Sequence, residues 1–398
     1  MGELEQQRHQ SSRITCQVHH RLSPRVSEEL IQLGTTSVLL ESGRSVRQLR
    51  RPRAFGLPGK LVRLIDQPVD IFRVTVPRDQ VEAVTRRLIA TADLGQPGRG
   101  TIYSQDLVEY CRVAPSAEAK DSGNGPAETP GFTSGDNVDE PGRREQPVAV
   151  TLLKELAAIT CILSIAGGGE QLARVALDLG TCVPVVTFGT GTGMRDRLGL
   201  LRITVPPEKE IVHLLVPSHD AEGIIRILID EGNLNQPGRG FVYQTPVSAG
   251  LLDTRLRIGP QEHAASIEQI IAAVDELKAT TTWRKRFVGI EGDETDAKLR
   301  LLRNNREITV ICAEGRAGEL VDAALEAGAG GATISRVRRL SRSDPDGGIA
   351  ARERSTISVS AEICDRVVAA LLEIESHSED GADRIQVLES PAAFTHHG

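Results

Sequence analysis

An α+β fold of three ferredoxin-like βαββαβ units in tandem, folded together as a pseudo-trimer, is predicted by three observations. The stretch Gly95-Gln96-Pro97-Gly98-Arg99-Gly100-Thr101-Ile102-Tyr103 returns almost unchanged as Asn235-Gln236-Pro237-Gly238-Arg239-Gly240-Phe241-Val242-Tyr243. Both copies follow a Val-Pro step, Val76-Pro77 and Val216-Pro217, at the same interval. A pattern of strand, helix, strand, excursion, strand, helix, loop and strand can be read three times, which is an internal repeat. One such unit leaves a sheet face uncovered, and three can cover one another about a pseudo-threefold axis.

The first unit spans 1–113. Residues 1–12 are polar and expected to be loose. A strand is predicted at Ile14–Val18, a helix over 24–33 from the spacing of Val26, Leu30 and Leu33 before Gly34, and a strand at Ser37–Leu40. The excursion at 41–67 carries Arg44, Arg47, Arg50, Arg51, Arg53, Lys60 and Arg63 with Gly56, Pro58 and Gly59, a composition that suits a loop. It reads equally as a solvated charge run or as a docking segment for an acidic partner. A strand at Val69–Val76, a helix over 78–91 and a strand at Thr101–Tyr103 complete the unit.

Residues 114–147 are rich in Pro, Gly, Ser, Glu and Asp and predict a disordered linker. The second unit, 148–260, opens on a helix-like Thr151–Leu156 and a strand at Ile159–Leu163. A helix over 168–179, a strand at Val183–Thr187, an excursion at 189–204, a strand at Glu210–Val216 and a helix over 219–231 lead to the second loop. The connector at 261–306 should hold an amphipathic helix over 265–279, with Ile267, Ile270, Ile271, Val274 and Leu277 packed on the body. The third unit, 307–398, has strands at 308–312, 332–337, 355–360 and 385–388, helices over 316–327 and 361–374, and an excursion at 338–354. Asp380-Gly381-Ala382-Asp383 stands where the other units have Pro-Gly-Arg-Gly, so the third loop lacks the arginine.

At 398 residues the chain can bury several cores, and with aromatics at 3% these must be aliphatic. The 54 acidic and 47 basic residues give a mildly acidic protein, which argues against a general nucleic-acid binder and leaves room for local basic patches. No apolar run reaches bilayer length and Met1-Gly2-Glu3-Leu4 begins no signal peptide, so a cytoplasmic location is expected. The six cysteines lack CxxC spacing and read as reduced core residues. His19-His20 and His396-His397 have no further metal ligands beside them in sequence. Gly189-Thr190-Gly191-Thr192-Gly193 lacks the spacing of a dinucleotide fingerprint and reads as a loop. No nucleophile–base pair is legible and no carboxylate or histidine constellation recurs between units, so an enzyme is not expected.

The paired loops put glycine N–H groups and an arginine side by side, a pattern that suits an anion. At this point the chain resembles the PII nitrogen-regulatory signal-transduction proteins, homotrimers of this domain. Glu326-Ala327-Gly328-Ala329-Gly330-Gly331-Ala332-Thr333-Ile334-Ser335-Arg336-Val337 is similar to the family's helix-to-strand passage. The loops at 96–100 and 236–240 look like its phosphate-binding B-loop, and the three excursions occupy the place of its target-docking T-loop. Thr254-Arg255-Leu256-Arg257-Ile258-Gly259 resembles the C-terminal segment that reaches a neighbouring subunit's nucleotide.

The resemblance implies that Gly98, Arg99 and Gly100, and likewise Gly238, Arg239 and Gly240, face phosphates. It implies that Arg255 and Arg257 approach from a neighbouring unit, that Gly331 and Thr333 line an adenine, and that Arg342 stands at a T-loop base. The ligand would be ATP, ADP or another adenine nucleotide, with Mg2+ left open. The partner would be a target protein, a membrane transporter or a metabolic enzyme. The family's lysine after the B-loop is replaced by Thr101 or Phe241, no tyrosine lies in an excursion, and Ser343 replaces the glutamine that positions metal and 2-oxoglutarate. Uridylylation and 2-oxoglutarate sensing are therefore not expected. With its features divided among units, the chain should have unequal clefts and act as a single-chain trimer. A non-binding scaffold of fused ferredoxin-like domains and a slow ATPase are the alternatives.

Overall fold

The computed structural model describes residues 6–35, 37–52, 60–96, 98–112, 150–180, 182–193, 208–253, 274–275, 277–281, 300–340, 349–375 and 384–396. In the first third of the chain come β1 (Gln6–His19), α1 (Ser23–Gln32), β2 (Val38–Pro52), β3 (Lys60–Pro77), α2 (Val81–Thr91) and β4 (Gly100–Arg112). In the middle third are β5 (Leu156–Leu163), α3 (Gly168–Asp178), β6 (Val185–Gly193), β7 (Glu208–Pro217), α4 (Ala221–Glu231), β8 (Gly240–Val247) and a short β9 (Ala249–Leu251). The last third holds β10 (Leu302–Ala313), α5 (Ala317–Glu326), β11 (Gly331–Leu340), β12 (Ile349–Ser360), α6 (Ala361–Glu375) and β13 (Arg384–Thr395). Among the described residues no helix is long and apolar enough to cross a membrane.

The same antiparallel strand order, second-third-first-fourth, occurs in each third: β2-β3-β1-β4, β6-β7-β5-β8 and β11-β12-β10-β13. Pairings between thirds run in a ring. Arg44 of β2 lies opposite Val186 of β6, Thr190 of β6 opposite Ile334 of β11, and Arg338 of β11 opposite Leu40 of β2. Leu40, Val186 and Ile334 hold equivalent places in their own sheets, as do Arg44, Thr190 and Arg338, so one register is used three times. A second ring has Ile102 opposite Leu251, Val242 opposite Phe394, and Ile385 opposite Tyr110.

Side chains alternate across each sheet. Ile14, Cys16 and Val18 join Val26, Leu30 and Leu88 of the helices in one core, and the other two thirds build corresponding cores. Cys16, Cys161, Cys182, Cys312 and Cys364 are buried thiols. The opposite faces meet in a polar interior. There Arg13 reaches Glu307 at 3.2 Å, and Glu41 receives Arg73 at 2.5 Å and Arg354 at 3.0 Å. Two of these bonds tie the first third to the last, and buried pairs of this kind cost desolvation that only good geometry offsets.

Several sequence expectations change. Residues 6–12 are not loose: Gln6–Ser12 pair with Asp106–Arg112. The basic excursion is largely strand, β2 and β3 pairing from Val38↔Val74 out to Pro52↔Lys60, because each strand satisfies the other's backbone groups whatever the side-chain charge. The excursions at 189–204 and 338–354 shorten likewise, since β6 runs to Gly193 and β11 to Leu340. No helix forms at 151–155; Leu153 bridges Gly250 of the β8–β9 edge, which takes its backbone into a sheet contact. Strand β10 begins at Leu302, inside the stretch read as connector, because Leu302 finds Ala393 opposite it. Leu277 is 86% exposed, so the apolar face expected over 265–279 does not pack at its last member, which precedes a chain reversal at Ala279 (φ 52°). The linker at 114–147 and residues 265–273 lie outside the described residues.

Candidate functional site

The two repeated loops are built alike. Each follows its helix through a left-handed residue, Asp93 (φ 51°) or Asn233 (φ 52°), and then a tight turn. Gln96 N–H donates to the Asp93 carbonyl at 3.0 Å, and Gln236 N–H to that of Asn233 at 3.2 Å. Gly98 (φ 84°) and Gly238 (φ 72°) hold left-handed backbone, and the next N–H closes the turn, Arg99 onto the Gln96 carbonyl at 3.3 Å and Arg239 onto that of Gln236 at 3.4 Å. The second glycine has a packing role. A Cβ on Gly100 would stand 2.0 Å from the Gln17 carbonyl oxygen, and one on Gly240 2.3 Å from that of Ile162.

The first loop meets the middle third of the chain. A groove there is lined by Arg99, Gly100 and Thr101, by Arg47 and Val69 of the β2–β3 ribbon, and by Val183, Val185 and Asp253. Asp253 is 4% exposed. Its Oδ1 accepts the Gly98 N–H at 2.9 Å, its Oδ2 accepts from Arg47 Nη2, and its own N–H donates to Thr101 Oγ1 at 3.0 Å. Arg47 also donates to the Gly98 carbonyl at 3.4 Å. Burial pushes the Asp253 carboxyl up, while the Arg47 charge and the Gly98 N–H partly oppose that. A carboxylate thus already sits where the loop offers an anion its backbone donor.

The second loop meets the last third through the same registers and presents different chemistry. Its Arg239 carbonyl accepts the Ser164 N–H at 3.0 Å, and Ser164 Oγ accepts from Lys209 Nζ at 3.0 Å. Arg239 Nε donates to Gln236 Oε1 at 3.1 Å, leaving the guanidinium half-buried beside the loop. By strand register Lys209 holds the place of Val69. Gly331 and Thr333 hold those of Val183 and Val185, and His396, one step past the Thr395↔Phe241 pair, holds that of Asp253. By register the second cleft therefore has Arg239, Lys209 and His396 at the places held in the first by Arg99, Val69 and Asp253, and Gly193 at the place of Arg47.

Of the residues picked out in the sequence, Gly238, Arg239, Gly240, Gly331 and Thr333 fall about one cleft, and Gly98, Arg99 and Gly100 about another. Arg255, Arg257 and Arg342 lie outside the described residues. Sequence reading missed Asp253, Arg47, Lys209 and His396. Asp253 stood one residue before the segment singled out at 254–259, and His396 was set aside with the chain end. It also missed a carboxylate that does recur: Asp70, Glu210 and Glu353 share one strand position. Glu210 takes the Gly167 and Gly169 N–H groups at 2.9 and 2.6 Å, Glu353 takes that of Ala317 at 2.9 Å, and Asp70 takes the Ser23 hydroxyl at 2.5 Å. These carboxylates hold the starts of the first helices.

No protein-family model matches the chain, and no curated protein matches it. Among solved structures, B. subtilis GlnK is 15% identical, covers 25% of this chain and 85% of its own, and has a TM-score of 0.21. The ATP complex of B. subtilis GlnK is 16% identical with coverages of 24% and 84% and a TM-score of 0.22. Arabidopsis thaliana PII bound to citrate is 24% identical with coverages of 24% and 75% and a TM-score of 0.16.

Proposed function

We propose that this chain is a PII-like regulatory protein whose three βαββαβ units form a covalent pseudo-trimer. It binds an adenine nucleotide between the second and third units and acts through a partner protein, without catalysis of its own. One observation supports the reading: a single cyclic register sets the loop of one third against the next, and by that register Lys209 and His396 belong to the same cleft as Arg239 and left-handed Gly238. Arginine and lysine side chains beside a glycine loop suit a polyphosphate, since charge-assisted bonds are the stronger ones. Gly331 and Thr333, across the same cleft by register, would line the base. The β2–β3, β6–β7 and β11–β12 ribbons rise from the cleft walls, so occupancy can select among their arrangements and switch docking to a transporter or metabolic enzyme.

Titration of the full chain with ADP and ATP tests this. Arg239→Ala and Lys209→Ala should each weaken binding roughly 10- to 100-fold, the worth of one charge-assisted bond. Unchanged affinity in both variants would remove the second loop from the site.

A further inference from the structure

The loop at Gly98–Gly100 is, we infer, an anion site that the chain fills with its own carboxylate: Asp253 shuts the first cleft to phosphate and leaves the second open. This deepens the proposed function and rests on reading the paired loops as phosphate cradles. Three contacts define the plug. Gly98 N–H and Arg47 Nη2 both donate to the carboxylate, and the Asp253 N–H is held by Thr101 Oγ1. Among the described residues no group accepts the buried Arg47 Nε–H, so the guanidinium is not fully satisfied by the carboxylate it holds. A phosphate presents more acceptor oxygens and could meet both faces of that fork.

The register identifies the plug independently. Asp253 comes opposite Gly100 two steps past the Ile102↔Leu251 pair, and His396 comes opposite Gly240 two steps past the Val242↔Phe394 pair. One position carries an anion in the first cleft and an imidazole in the second. A group already tethered in place competes at a millimolar or higher effective concentration, on the order of magnitude known for linked sites. Free nucleotide below that level is excluded from the first cleft unless Asp253 leaves.

The test counts bound ligand per chain by equilibrium titration, with ADP and with inorganic tripolyphosphate as an adenine-free probe, on wild type, Asp253→Ala and Asp253→Asn. Wild type should bind one equivalent. Asp253→Ala should bind two, the added one being removed by Arg47→Ala in the same chain, and Asp253→Asn should show the added site more weakly. Arg99→Ala in the otherwise native chain keeps the measurement decisive if the Asp253 variants do not fold, and it should leave both stoichiometry and affinity unchanged. Folded Asp253 variants that bind no more than wild type, or a site lost on Arg99→Ala, would overturn the inference. If wild type binds nothing and Asp253→Ala binds one, the second-cleft reading fails and the plug stands. If Arg239→Ala abolishes the one wild-type site and Asp253→Ala adds none, the plug fails and that reading stands.

Discussion

His213 lies in the polar interior, its Nε2 3.1 Å from Thr187 Oγ1, facing Arg73, Glu41, Arg354 and Arg13 from strands of the first and last thirds. Burial, then the Arg73 charge, lower its pKa from 6.5 to about 3, although Glu41 pulls the other way. Burial pushes Glu41 up, but Arg354 and Arg73 outweigh it and hold the carboxyl at about 2. The unfolded imidazole takes a proton near 6.5 and the folded one does not until far lower, so stability falls as pH drops from 6.5 toward 3. Glu41 adds a contribution present above 4.5 and lost as pH falls toward 2, which has the same sign. The urea midpoint should therefore drop between pH 6.5 and 4.5, and His213→Asn should flatten that drop. Equal slopes in the two proteins would show that His213 does not titrate on unfolding. None of this was legible in the chain, because a histidine in an apolar strand, Ile211-Val212-His213-Leu214, says nothing about charges that come from other strands.

At the scale of elements, five of the helices α1–α6 were read to within two residues from their apolar spacing, α2 begins three residues later than expected because Arg78–Gln80 form a 3-10 turn, and the helix-like reading at 151–156 fails. The loops were read as ligand cradles, and the structure divides their glycines into two kinds. Gly240→Ala must separate the loop from the Ile162 carbonyl 2.3 Å away and should cost roughly 2–4 kcal/mol. Gly238→Ala places a side chain on left-handed backbone (φ 72°) and should cost roughly 1–2 kcal/mol. Denaturant unfolding that ranks the two in the opposite order would refute this division. Strands were under-read wherever they are polar. Gln6–Ser12 and Arg44–Pro52 carry no apolar alternation; Arg44–Pro52 pair with the nearby Lys60–Pro68, while Gln6–Ser12 find Asp106–Arg112 far along the chain. The same distance hid the plug, for Arg47 and Asp253 are 206 residues apart.

Across the whole molecule, the threefold repetition was visible because the loop and the Val-Pro step occur twice, while the asymmetry of the clefts was visible only in part. The expected lack of an arginine in the third loop was read from Asp380–Asp383, which lie outside the described residues. The difference between the first two loops could not, since it lies in Asp253 and His396, brought to equivalent places by strands of different thirds. On the proposed reading a ligand of the folded chain also stabilises it, by about 2.7 kcal/mol at a hundredfold excess over Kd. The most direct measurement is a calorimetric titration of ADP into the full chain, wild type beside Arg239→Ala and Arg99→Ala. The account predicts one site per chain, lost or strongly weakened in Arg239→Ala and untouched in Arg99→Ala. Absence of binding to the wild type, or a site that survives Arg239→Ala and disappears with Arg99→Ala, would contradict it.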